Sequence, residues 1–215
     1  MASKIKVDQL ETADGSGTIT LQNQLSGMTT ASLPALGAAQ MPTGSVLQVV
    51  HTENGTKQTL NDTTAKLIET SITMKGANSS LLIRVNVPIG GDDNGNSDID
   101  IALAFGYKSG SASSSSTDYS KAGGRSAYAR SPVTGLDSWF NSDTKQHGEG
   151  YDNHWVLHTG HEYLKTGLTY AAGTTVQVAL WCRTNGGAYD FCCAENKADT
   201  DAGMVMSLNI TEIAG

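Results

Sequence analysis

The densest group of metal-binding side chains in this 215-residue chain is HWVLHTGHEY, which holds His154, His158 and His161. On a helix the three would share a face and suit zinc. Val156, Thr159 and the Gly-rich run before them favour a strand instead, which sends His154 and His158 to one face and His161 to the other. One ion cannot collect all three without a bend at Gly160, and the Glu of an H-E-x-x-H protease signature is missing. The stretch therefore reads as solvated or interface histidines, and no metal or other cofactor is expected. In DDNGNSDID, the residues Asp92, Asn94, Asn96 and Asp98 alternate like the first ligands of a calcium loop. Ser97 stands where that loop needs Gly and Leu103 where it needs a bidentate Glu, so a polar hairpin turn between two strands is the simpler reading.

Nucleophilic catalysis finds little support. No G-x-S-x-G occurs, the serines of GSASSSSTD are low-complexity loop, and Cys192 and Cys193 fall mid-strand by pattern, where burial makes a thiol inert. Glycosidase carboxylates meet in space and not in spacing, which leaves Glu149, Asp152 and Glu162 to watch; acids in polar loops are ordinarily solvated. No enzymatic activity is expected. Six aromatics in polar surroundings, Tyr119, Tyr128, Trp139, Phe140, Tyr151 and Trp155, offer rigid amphipathic area for a sugar or a protein. Covering one end of the domain beneath a long loop is an equally good use of them.

The elements that must position these residues are strands. SVLQVVH (45–51), KLIETSITM (66–74), SLLIRVNVPI (80–89), DIDIALAFGY (98–107), TTVQVALWCRT (174–184), AYDFCCA (188–194) and MVMSLNITEI (204–213) alternate apolar and polar side chains. Leu81, Ile83, Val85 and Val87 share one face, as do Ile99, Ile101, Leu103 and Phe105, and Val176, Val178, Leu180 and Cys182. Tyr189, Phe191 and Cys193 form a further set, and so do Met204, Met206, Leu208 and Ile210. Such runs, separated by Gly/Asn/Asp/Ser clusters, predict an all-β fold: an antiparallel β-sandwich, jelly-roll-like, over residues 44–215. The interval 108–153 is Ser/Gly-rich and then aromatic, and is expected to be an exposed loop insertion carrying contact surface.

Residues 1–43 read as an extended arm and connector. KIKVDQL and GTITLQN alternate briefly around the turn signal ETADGSG, and neither has apolar surface enough to fold alone. The small residues and prolines of SGMTTASLPALGAAQMPTG then connect to the main domain.

Composition bounds the partners. Hydrophobic residues make up 38% and charged residues 16%, the profile of a turn-rich β protein. A net charge of −7 with scattered Lys and Arg argues against nucleic acid. No stretch approaches the roughly 20 apolar residues of a membrane span, and Met1–Leu10 lacks the apolar core of a secretory signal. Synthesis in the cytoplasm as a soluble chain is expected, without membrane insertion. A bridge from Cys182 to Cys192 or Cys193 requires adjacent strands, and free buried thiols are the expectation in a reducing compartment.

Three stretches together resemble the small fibre and appendage proteins of tailed bacteriophages, particularly of phages infecting aquatic bacteria. SKIKVDQLETADGSGTITLQNQL is similar to their usual opening. The stretch from MPTGSVLQVVHTENG to LLIRVNVPI is similar to the start of their distal β-domain, and TVQVALWCRTNGGAYDFCCAENKADTDAGMVMSLNITEIAG to its close. The resemblance covers most of the chain outside about 108–153. It implies a structural protein at the virion surface, a homotrimer, made in the host cytoplasm and held to other virion proteins by its N-terminal arm. Lys4, Ile5, Val7, Leu10, Ile19, Leu21 and Leu25 are then the attachment or intersubunit residues, since an extended segment can add to a partner's sheet. The six loop aromatics become candidates for contact with a host-surface glycan or protein. Only TTASLPALGAAQMP stands where longer fibres carry a shaft, which keeps a head fibre or capsid decoration protein open beside a tail fibre. A polysaccharide depolymerase is the alternative of another class.

Overall fold

Alternation becomes structure wherever one face of a strand has a core to face. The computed structural model describes residues 37–61, 63–92, 100–123, 133, 136, 138–142, 154–185, 188–192 and 204–215. In chain order the strands are β1 (Val46–Asn54), β2 (Gln58–Asn61), β3 (Thr64–Thr73), β4 (Ser80–Asp92), β5 (Asp100–Ser109), β6 (Ser120–Gly123), β7 (Ser138–Ser142), β8 (His154–Lys165), β9 (Thr175–Asn185), β10 (Ala188–Phe191) and β11 (Met206–Ile213). They build two antiparallel sheets. In the first, β1 pairs with β11, β11 with β4 and β4 with β8, while β10 and β2 continue from the second half of β4. In the second, the order is β3, β9, β5, with β6 and β7 sharing the remaining edge of β5. With the small β2–β10 pair set aside, this is the strand order of a jelly roll, and the sandwich expected from the sequence is what the chain forms.

Four of the predicted core sets face inward between the sheets. Leu81, Ile83, Val85 and Val87 of β4 are buried against Ile101, Leu103 and Phe105 of β5, Val176, Val178, Leu180 and Cys182 of β9, and Met206, Leu208 and Ile210 of β11. Burying each aliphatic side chain contributes about 1.5–3 kcal/mol. Tyr189 and Phe191 of β10 join the same core, whereas Ile99 and Cys193 lie outside the described residues.

Several expectations are corrected. No hairpin joins β4 to β5, because β4 belongs to the first sheet and β5 to the second. In β3 a register shift between Lys66 and Ile68 turns both Leu67 and Ile68 inward, which breaks the simple alternation read from KLIETSITM. Cys192 does not lie mid-strand: it follows β10 with φ of 61°. The short β2 carries no periodic signal in the sequence, since four residues are too few for one.

The described parts of 108–153 are not all loop. Its described residues lie in or against the sandwich: β6 and β7 extend the second sheet, and Tyr119, Val133 and Leu136 are buried against its outer face. A second small core results, made of Ala102, Ala104, Ala179 and Trp181 from the sheet with Tyr119, Val133 and Leu136 from the covering segment. The small residues of DIALAFGY make the space. A Cβ on Gly106 would lie 2.7 Å from Cβ of Tyr119 and 3.2 Å from Cδ1 of Leu136. Tyr119 meets Trp181 edge-on with ring centroids 5.4 Å apart, the arrangement that ring quadrupoles favour.

At the end of the sandwich where the described chain begins, Gly44 donates to Ala214 O and Ala214 donates back to Ser45 O, which ties the start of β1 to the end of β11. Beside them the Glu212 carboxylate is fully buried. It accepts the backbone N–H groups of Lys75 and Gly76 at 2.9–3.0 Å and the Gln48 amide at 2.6 Å. Burial alone would raise its pKa, but these hydrogen bonds to the ionised form outweigh it and hold the carboxyl below its usual range.

Two outcomes follow. Gly106→Ala is expected to lower stability by about 1–3 kcal/mol through overpacking, measured as the shift in denaturant midpoint. Glu212→Gln is expected to cost about 1–3 kcal/mol near neutrality, because its NH2 would face N–H donors. A folded-state pKa below the unfolded one means that Glu212 stabilises above about pH 4.5 and loses that contribution as pH falls through the lowered value. The gap between wild type and Glu212→Gln should therefore close below pH 4.5 in a series of thermal melts.

Candidate functional site

The outer face of the first sheet is zoned by register. Val49 lies opposite Thr211, Thr211 opposite Leu82 and Leu82 opposite Leu164, one row across β1, β11, β4 and β8. Two residues along each strand comes the row His51, Asn209, Arg84, Glu162, and two further the row Glu53, Ser207, Asn86, Gly160. Period two along every strand puts all three rows on this one face.

The middle row is internally paired. His51 Nδ1 is 2.7 Å from Asn209 Oδ1, its Nε2 is 2.9 Å from Glu53 Oε1, and Arg84 Nε donates to Glu162. The hydrogen bond to Glu53, then that to Asn209, raises the His51 pKa above its ordinary 6.5. All of these groups are solvent-accessible, so each pair adds little stability; what they fix is a patterned polar surface.

The three histidines of HWVLHTGHEY lie on β8, a strand as its residue types imply. His158 sits opposite Pro88, while His161 sits opposite Val85 and stacks on Phe105 of the other sheet, with ring centroids 5.9 Å apart and an interplanar angle of 20°. Burial pushes the His161 pKa down. Among the described residues no three His, Cys, Asp or Glu side chains come together as a metal-holding group. Cys182 and Cys192 are free and buried, and burial raises both thiols.

Of the aromatics singled out in the sequence, Tyr119 is a correction: it is buried and belongs to the second small core. Its hydroxyl donates to Glu69 and accepts the Ser113 N–H at 3.1 Å, and Lys66 Nζ reaches both Glu69 and Ser113 O. Burial and then the Glu69 carboxylate push the phenol up to about 12. Of the two uses weighed for these aromatics, Tyr119 takes the covering one. Trp139 and Phe140 lie in β7 and Trp155 in β8, so all three belong to strands and not to loops. Tyr128 and Tyr151 lie outside the described residues, as do the arm residues Lys4, Ile5, Val7, Leu10, Ile19, Leu21 and Leu25, the calcium-like Asn94, Asn96 and Asp98, and the acids Glu149 and Asp152. Glu162 is the one member of the carboxylate set that is described, and it is committed to Arg84.

The zoned face was missed in the sequence because each of its rows draws one residue from each of four distant strands. Reading the exposed positions of paired strands together would have found it, but pairing is not visible in one sequence.

The expected pH behaviour separates the two described histidines with shifted pKa values. In an NMR titration His51 should titrate above 6.5 and His161 below it. The linkage signs are opposite: the His51 pairing stabilises below pH 6.5 and fades as pH rises through its raised value. The partly buried His161 costs nothing above pH 6.5, where it is neutral in both states, and works against folding as pH falls below that.

No protein-family model matches the chain, and no curated protein matches it.

Proposed function

We propose that this chain is a structural protein of a bacteriophage virion: a short, non-catalytic, trimeric appendage anchored by its N-terminal arm, whose sandwich is displayed for attachment to the host surface. The observation that carries this reading is the way the chain enters the domain. The segment ahead of Gly44 leads directly into β1, and β1 is fastened to the last strand by the paired bonds of Gly44, Ser45 and Ala214 and by antiparallel register from Val46 to Asn54. A tether entering there arrives at a strand end that is fastened into the sheet. Resemblance of the opening and closing stretches to phage fibre and appendage proteins supports the same reading, and a jelly roll is among the folds of viral surface proteins.

The test is to delete residues 1–25 in the phage and image wild-type and mutant particles by cryo-electron microscopy. The expected result is density in threefold clusters on the wild-type particle, lost in the mutant while the truncated chain still folds. Clusters at the tail mark an attachment fibre, and knobs on the capsid lattice mark a head fibre or decoration protein. Absence from the wild-type particle overturns the reading, as does release of oligosaccharide from host polysaccharide by the purified chain. For host attachment, Trp139→Ala is expected to lower adsorption at unchanged incorporation.

A further inference from the structure

The outer faces of the two sheets are finished differently. That of the second sheet is roofed by the chain's own Tyr119, Val133 and Leu136. No described residue roofs that of the first, and one end of it is apolar. Val46 is 56% exposed, Val49 61% and Leu164 48%, three of the four large hydrophobics left most exposed among the described residues. Register brings them together: Val49, Thr211, Leu82 and Leu164 form one row across four strands, and Val46 lies opposite Ile213 at the adjoining end. Neighbouring strands are about 4.8 Å apart, so the row is about 14 Å wide. Contiguous exposed apolar patches with a polar border mark interaction sites.

We infer that this patch, Val46, Val49, Leu82, Leu164 and Ile213, is where copies of this chain pack against one another. The inference rests on the appendage reading for its oligomer and assigns that oligomer a surface. Where the chain leaves the domain selects a second copy as occupant. The described chain reaches Val46 from Gly37, and 36 further residues precede Gly37 in the sequence. Copies packed through the patch start their arms from one place, and arms so gathered bind a multivalent target at high effective concentration. The bordering row suits burial against an equal. His51 is satisfied by Asn209 and Glu53, and Arg84 by Glu162, so the neighbour need bring no compensating charge. The patch itself is aliphatic and lacks the aromatic platform that a sugar would stack on.

The experiment is sedimentation or light scattering of the full chain, wild type against Val49→Glu with Leu164→Glu, and against Val205→Glu as control. Val205 is 46% exposed and lies near Gly55, beyond the other end of the β1–β11 pair. The expected result is an oligomeric wild type and control, and a monomeric double variant with the wild-type circular dichroism spectrum. If the double variant is unfolded, Leu164→Glu alone, on an edge strand, is measured and should weaken association at least tenfold. A double variant that keeps the wild-type mass overturns the patch and leaves the appendage reading intact. A monomeric wild type at its highest soluble concentration also overturns the patch, and particle imaging then judges the appendage reading separately. A wild-type dimer dissociated by the double variant supports the patch and removes the trimer.

Discussion

A single buried charge sets the order at one end of this sandwich. The Glu212 carboxylate is fully buried, and an ionised group there must have every oxygen satisfied or it would force its own protonation. Its donors come from two separated parts of the chain, Gln48 on β1 and Lys75 with Gly76 in the turn between β3 and β4, and the carboxylate ties both to its own strand, β11. The turn is built to the same demand. A Cβ on Gly76 would lie 2.7 Å from Ser79 Oγ and 2.9 Å from Leu47 Cδ1, so glycine lets the backbone close around the carboxylate. With the turn fixed, β3 and β4 leave it for different sheets, and the end of β11 is held where Ala214 can bond to Gly44 and Ser45.

From that end outward, β4 organises the first sheet. Its 13 residues are long enough to pair with β11 and then β10 along one edge and with β8 along the other. The second sheet is organised by size. Ala102, Ala104, Gly106 and Ala179 on its outer face leave a shallow bed, and Tyr119, Leu136 and Val133 fill it around Trp181. The two sheets thus use opposite means to finish an outer face: one buries it under the chain's own segment, the other leaves it patterned in rows, apolar at one end and internally paired beside it.

That asymmetry bears on function. In the proposed appendage, a head that covers one of its faces and leaves the other uncovered by described residues would have a preferred side for association, and the chain enters beside the apolar end of that side. Rigidity at the point of tethering and a patterned open face are what a displayed attachment unit requires. The residues that hold them, Glu212, Gly76 and the register of β1 with β11, act through the fold.

The fold class was legible in the sequence because period-two alternation is a local property: Leu81 to Val87, Val176 to Cys182 and Met206 to Ile210 each announce a strand with one buried face, and the structure buries them all. The strand character of HWVLHTGHEY was legible for the same reason. The sequence by itself also determined the chemistry on offer, a chain of net charge −7 with few basic residues and three cysteines. Only the tertiary structure decided which sheet each strand joins. It put β4 and β5 in different sheets, turned Tyr119 from a surface aromatic into a core one, and gathered Val49, Leu82 and Leu164 from three distant segments into one row. Alternation says that a side chain faces one way or the other; which partner lies beside it is fixed by hydrogen-bond register and by the packing of one sheet on another, and these are non-local.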